Sequence, residues 1–221
     1  MFQHVDIEFP ALKRETIDGV RYYTVEGRPM VSITSVTSHY NKEIFVKWRE
    51  RVGEEEANRI SKRSTSRGTK VHTCIENFLW NKDVPDTDPL PKMLFTQAKK
   101  ILGNINNIYA LEKSLYSKEL GVAGTVDCIA EYNGELAIID FKTAEKPKPK
   151  QWIENYFVQA AAYACMFYEM TEIPVKKLVI IMTCENGEVE VYEEYDKKQY
   201  MGKLVKYIQK FVEDKLNDYK K

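Results

Sequence analysis

The chain has no apolar run approaching the roughly 18–20 residues that a membrane-spanning helix needs. Its first ten residues, MFQHVDIEFP, lack the basic start and apolar stretch of a secretory leader. No membrane association is expected. Charge of one sign is missing too: 33 basic residues face 33 acidic ones. That excludes a wholly basic polyanion binder and leaves any electrostatic footprint to local clusters. Cysteine is sparse. Cys74, Cys128, Cys165 and Cys184 are far apart and form no Cys-x-x-Cys, so they read as buried thiols of a reducing compartment. Internal repeats and low-complexity tracts are absent. What is present is an ordinary globular composition, 43% hydrophobic and 30% charged over 221 residues, enough for one domain with a proper core.

The most informative stretch is 119–143, ELGVAGTVDCIAEYNGELAIIDFKT. Asn133-Gly134 marks a two-residue type I′ turn, whose central residues both need positive φ. Such a loop sets Tyr132 against Glu135. Counting outward then sets Ile129 against Ile138, Asp127 against Asp140 and Thr125 against Lys142. Strand side chains alternate, so all six share one face. Opposed carboxylates with Cβ atoms about 4.5–5.5 Å apart repel. A hard divalent cation resolves that conflict, since Mg²⁺ takes carboxylate oxygens and keeps waters that a phosphate can displace. Lys142 would reach the same phosphate or an attacking water. The plain alternative is an edge hairpin whose acids face solvent, with the lysine as counter-charge.

Gly-x-x-Asp at 124–127, a strand-length gap, and Asp-Phe-Lys-Thr at 140–143 resemble the signature of the PD-(D/E)XK nuclease superfamily. Gln159-Ala-Ala-Ala-Tyr163 is similar to the Gln-x-x-x-Tyr element of its RecB-type branch, and 67–72, RGTKVH, to the upstream Gly-x-x-x-His element. Stretches 27–36 and 126–149 and the Gln–Tyr helix resemble the mitochondrial genome maintenance exonuclease family and its phage and bacterial relatives, from about residue 20 onward.

This resemblance implies an α/β fold, a restriction-endonuclease-like mixed β-sheet core flanked by helices, with an N-terminal helical wall. It implies a single nuclease domain over 1–221, with a ribbon and helical part at 1–110 and a catalytic core at 111–221. The implied activity is metal-dependent exonuclease hydrolysis of DNA, on single strands from a free end, leaving 5′-phosphates. A structure-specific or restriction-type endonuclease and a non-catalytic nucleic-acid-binding accessory protein remain alternatives. Mg²⁺ or Mn²⁺ would be held by Asp127, Asp140, the Phe141 carbonyl and Glu119 or His72, with Lys142 as the catalytic cation. DNA would run past Gln159, Tyr163, Arg67, Lys70, Lys148, Trp152, Ser32 and Thr34. Some RecB-type members carry an iron–sulfur cluster, and the cysteine spacing here speaks against one. DNA repair and recombination are implied settings, with replication or recombination proteins as partners. The N-terminus lacks an Arg-rich, acid-poor presequence, which points to a bacterial cytoplasm, of a host or its phage.

In chain order, 20–25 and 30–33 predict a small antiparallel ribbon, and Ser32 to Ser35 open a short helix with hydroxyls to cap it. Helices are expected at 43–61 and 69–80, with the basic hydroxyl-rich stretch 61–70 as a helix entry suited to an anion. In the second helix Val71, Cys74, Ile75 and Phe78 form the buried stripe and His72 stands at its margin. The loop 83–91 leads to a helix at 92–109 and a strand at 111–120. After the hairpin come a helix at 152–170, a second Asn-Gly hairpin spanning 175–195, and a closing helix at 198–218. Basic clusters fall at 146–150 and 62–70, and acidic residues are expected apart from them, at 54–56 and 185–194.

Overall fold

The computed structural model describes residues 1–219. β-rich segments near the N-terminus form β1 (Lys13–Ile17), β2 (Val20–Val25) and β3 (Arg28–Ser32), an antiparallel ribbon turned at Glu26-Gly27. Ser32 caps α1 (Ile33–Tyr40), its hydroxyl accepting the Ser35 N–H at 3.3 Å. Next come α2 (Lys42–Val52), α3 (Glu54–Leu79) and α4 (Pro89–Leu102). The core strands are β4 (Ile105–Ser117), β5 (Val122–Tyr132) and β6 (Glu135–Ala144). A 3-10 turn at Lys150–Trp152 introduces α5 (Glu154–Thr171). β7 (Lys177–Cys184), β8 (Val189–Glu194) and α6 (Lys197–Tyr219) complete the chain.

Several boundaries depart from expectation. The helix expected at 43–61 breaks at Gly53, whose φ of 86° leaves the helical region, and the basic stretch 61–70 lies inside the 26-residue α3. It therefore exposes no free helix-start N–H groups, because interior amides are bonded to carbonyls one turn back. The helix expected to reach residue 109 ends at Leu102, and β4 starts at Ile105. Tertiary pairing decides this: Ile105 lies opposite Tyr132, and β4 follows β5 as far as the Ser117–Val122 pair. The expected division at 110/111 therefore marks no break. Nor is the N-terminal ribbon separate, since β3 joins β5 in parallel at Val31–Val122 and Ser32–Ala123.

The eight strands among the described residues share one sheet, ordered β1-β2-β3-β5-β6-β7-β8, with β4 on β5. One face buries α5 with parts of α1 and α6, through Phe157, Ala161, Phe167, Ile33 and Leu204. The other buries α3 and α4, through Val71, Ile75, Leu94 and Leu102. The residues expected to face the sheet, Ile153 just before α5 and Phe157, Ala160, Ala161, Ala164 and Phe167 within it, are all buried. No helix among the described residues is long and apolar enough to cross a membrane. Cys74, Cys128 and Cys184 are buried core thiols, and Cys165 is partly buried.

The feature that positions the site is a fork. Asn133 and Gly134 have φ of 53° and 81°, so the type I′ turn forms and sets the register: Tyr132–Glu135, Ile129–Ile138 and Cys128–Ile139. There the ladder stops. The pairs expected next, Asp127–Asp140 and Thr125–Lys142, lie where β6 has left β5, while β3 bonds β5 only at residues 122–123. On that side, residues 124–127 of β5 have no strand neighbour in the ladder. The Asp127 carboxylate fills part of the gap, accepting the Phe141 N–H through Oδ2 at 2.9 Å.

Candidate active site

Around the fork, four elements deliver five ionisable side chains. β5 supplies Asp127, and β6 supplies Asp140 and Lys142. α3 supplies His72, whose Nε2–H donates to the Phe141 carbonyl at 2.8 Å. That bond aims Nδ1 at the acids, 3.8 Å from Asp127 Oδ2 and 3.9 Å from Glu112 Oε1. Glu112, on β4, stands opposite Asp127 because the β4–β5 register runs Leu111–Cys128 and Lys113–Val126 on either side. Its φ of 50° is unusual for a non-glycine residue in a strand, the kind of local strain that a functional position retains.

The electrostatics are those of charges held close under low dielectric. Burial raises the Asp140 carboxyl to about 6, although the Lys142 ammonium offsets part of the effect. Burial also works against a charged His72, but Asp127 and Glu112 beside it prevail and lift it to about 9. Lys142 keeps its proton for a similar reason: Asp140 and Asp127 outweigh its burial and hold its pKa above the usual lysine value. Its Nζ lies 2.5 Å from Asp140 Oδ2 and 4.9 Å from the centre of the Tyr156 ring. Lys142 is thus held as a cation by the two acids.

Two observations test whether this set suits a metal ion. Ligand atoms of His72, Glu112 and Asp127 lie within 4.8 Å of one another. Asp140 Oδ2 is buried beside the Lys142 ammonium at 2.5 Å, so a carboxylate is held in this place against the cost of burying it. One imidazole and two carboxylates so grouped, with the Asp140 carboxylate outside the group, fit a divalent cation of the Mg²⁺ or Mn²⁺ kind. The PD-(D/E)XK nuclease superfamily model matches residues 88–219, more than half the chain and all of the fork except His72. The chain belongs to the PD-(D/E)XK nuclease superfamily.

Within this superfamily the chain is similar to mitochondrial genome maintenance exonuclease 1. It is 29% identical to the human protein over 130 residues, 54% of this chain and 37% of that one. It is 31% identical to the mouse protein over 109 residues, 47% of this chain and 32% of that one. The chain thus spans about a third of the length of these relatives. Among solved structures, a putative exonuclease from Eubacterium rectale matches with a TM-score of 0.47 and 13% identity, covering 69% of this chain and 66% of that one.

The superfamily's glycine has a direct physical reason here. A Cβ on Gly124 would lie 2.8 Å from Tyr163 Cε1, 2.9 Å from its hydroxyl oxygen and 3.0 Å from Ile33 Cγ2. Tyr163 needs that space, because its hydroxyl donates to the Thr125 carbonyl at 2.7 Å in the unpaired part of β5. Gln159 donates in turn to the Tyr163 oxygen at 3.3 Å. The Gln–Tyr element of this chain therefore braces the unpaired part of β5. Tyr163 is buried and offers no surface to a DNA strand, contrary to expectation.

Other expected residues fall into place unevenly. Glu119 sits exposed in the β4–β5 turn, and the five residue steps of strand from Val122 to Asp127 leave it roughly 17 Å short of the site. Glu112 stands beside Asp127 and His72, where that acid was expected. Glu112 was legible only through the β4–β5 register, which a helix drawn to residue 109 obscures. The Phe141 carbonyl, expected to face the metal, accepts the His72 bond. Ser32 is buried as the α1 cap, with Thr34 beside it at 2.5 Å. Lys70 pairs with Asp88 at the start of α4. Arg67 is buried, bound to Glu185 and, at 3.1 Å, to Thr143 Oγ1. Lys148 and Trp152, by contrast, line an open cleft of about 460 Å³ beside Lys142, together with Tyr156, Arg59 and Arg63.

Proposed function

We propose that this chain is a metal-dependent deoxyribonuclease acting as an exonuclease on single-stranded DNA and leaving 5′-phosphates. The observation that carries the reading is the convergence of Asp127, Asp140, Glu112, His72 and Lys142 at a fork in the sheet, beside an open basic and aromatic cleft. A divalent cation held by Asp127, Asp140, Glu112 and His72 would supply Lewis-acid polarisation of the phosphoryl group and lower the pKa of a water. The chain's own residues do the rest. Asp127, anchored on the Phe141 N–H, keeps one carboxylate oxygen for the cation. Lys142, protonated and braced between Asp140 and Tyr156, puts fixed positive charge where negative charge develops on the phosphate. Trp152, 72% exposed at the cleft, offers a face on which an unpaired base stacks. The exonuclease reading also draws on the name of the mitochondrial relatives. Mn²⁺ suits a donor set with an imidazole nitrogen better than Mg²⁺ does.

The test is digestion of an end-labelled single-stranded oligonucleotide beside its covalently closed circle, with Mg²⁺ or Mn²⁺, with EDTA, and with Asp140→Ala. Metal-dependent loss of the linear strand alone, abolished by the substitution, supports the exonuclease, and the label released first gives its polarity. Cleavage of the circle would replace this reading with an endonuclease. Digestion that survives Asp140→Ala would overturn the site assignment.

A further inference from the structure

Glu185 belongs to the β7–β8 hairpin, in the acidic stretch that the sequence places apart from the basic clusters. The fold brings it into the cleft. Backbone bonds from Glu185 N to the Ala144 carbonyl (3.0 Å) and from Asn186 N to the Glu145 carbonyl (3.3 Å) tie this turn to the end of β6. One carboxylate oxygen accepts from Arg63 at 2.7 Å, and the other pairs with Arg67. Two guanidiniums on one bidentate anion is the arrangement that a phosphodiester oxygen pair would adopt. Arg67 also donates to Thr143, the neighbour of Lys142, so the cluster adjoins the candidate active site. The two arginines are four apart on α3 and line the cleft together.

We propose that Glu185 is the resident anion of a phosphate subsite: the backbone of a single-stranded nucleic acid displaces it from Arg63, so that Glu185 sets the strand's affinity. This rests on the nuclease reading above. Arg67 is buried and stays with Glu185, whereas Arg63 is 60% exposed and free to swing to the strand. In the free protein the carboxylate offsets one of the two arginine charges it bridges, and binding exchanges one anion for another at Arg63 instead of filling a bare cationic site. Affinity is moderated accordingly, which suits a nuclease that must release or advance its strand. The exposed Trp152 at the same cleft selects an unpaired strand, whose base faces are available, over a duplex.

The experiment is anisotropy of fluorescein-labelled oligothymidylate, with EDTA present to keep the strand intact, over about 50–200 mM salt. Glu185→Gln should tighten binding several-fold, because the strand no longer has to displace a carboxylate from Arg63. Arg63→Gln, at an exposed position that folding tolerates, should weaken binding and flatten the log–log salt slope by about 0.7. Trp152→Ala should cost ~10-fold on the single strand and leave duplex binding unchanged. Unchanged affinity in a folded Glu185→Gln protein, or unchanged affinity and slope in Arg63→Gln, would overturn the subsite, and equal loss on duplex would overturn the single-strand assignment. Metal-dependent digestion by the wild type separates the two failures: cleavage without these shifts defeats the subsite alone, while neither binding nor cleavage defeats the nuclease reading as well.

Discussion

At the scale of single residues, Glu112 and His72 carry the clearest consequences. Glu112 faces Asp127 across β4 and β5, whereas Glu119 lies out in the turn. Glu112→Gln should weaken Mn²⁺ binding by calorimetry at least tenfold, and Glu119→Gln should leave it unchanged. The reason is that loss of one charged ligand in a small donor set is not compensated by neighbours. Protons compete with the metal at the same atoms. With Asp140 raised to about 6 and His72 to about 9, apparent Mg²⁺ affinity should climb steeply up to about pH 6 and more gently towards 9. His72→Gln should remove the upper limb. In the metal-free protein the sign reverses for His72. Its folded pKa is raised, so its contribution to stability is complete below the ordinary histidine value and is lost as pH rises through about 9. The metal-free melting temperature should therefore fall between pH 7 and 9 in the wild type and stay flatter in His72→Gln.

At the scale of elements, two motif glycines have opposite meanings. Gly124 lies under Tyr163 with no room for a Cβ, while a Cβ on Gly68, inside α3, would make only an ordinary contact of 3.8 Å with Thr143 Oγ1. Gly124→Ala should lose about 1–3 kcal/mol by overpacking, several degrees of melting temperature for a chain of this size. Gly68→Ala should gain up to about 1 kcal/mol, because alanine spends less backbone entropy in a helix. Thermal unfolding of both variants checks the pair. The helices also mark the limit of local reading. The helix boundary that Gly53 imposes and the stop at Leu102 were obscured by apolar and charged residues at mixed spacing, which fits a helix as well as a strand end. By contrast, the Asn133-Gly134 turn and the α5 stripe were legible because each depends on residues a few positions apart.

At the scale of the whole molecule, the sheet and the two helical layers differ in depth of burial. β7 is buried along its entire length, whereas α2 has no buried residue and leaves Ile44 70% exposed. Hydrogen exchange should thus find the β5, β6 and β7 amides slowest and those of 42–52 among the fastest of the helical amides, since local opening of α2 exposes almost no new apolar surface. Protection of α2 equal to that of β7 would contradict this account. Bound metal should add to the stability of the whole by mass action. It should raise the melting temperature of the wild type and leave that of an Asp127→Asn, Asp140→Asn protein unmoved.

The sequence by itself determined the order of the strands about the Asn-Gly turn, the shared face of Asp127, Asp140 and Lys142, and the place of His72 at a helix margin. These follow from alternation, turn chemistry and helical period, which act over a few residues. Only the tertiary structure decided that the ladder stops at Cys128–Ile139, that Glu112 rather than Glu119 completes the acids, and that Arg67 and Tyr163 are enclosed. It also brought Glu185 to Arg67 across 118 positions of chain. Coulomb attraction and packing act between whatever side chains the completed sheet brings within a few ångströms, and one-residue choices of register far away in the chain settle which those are.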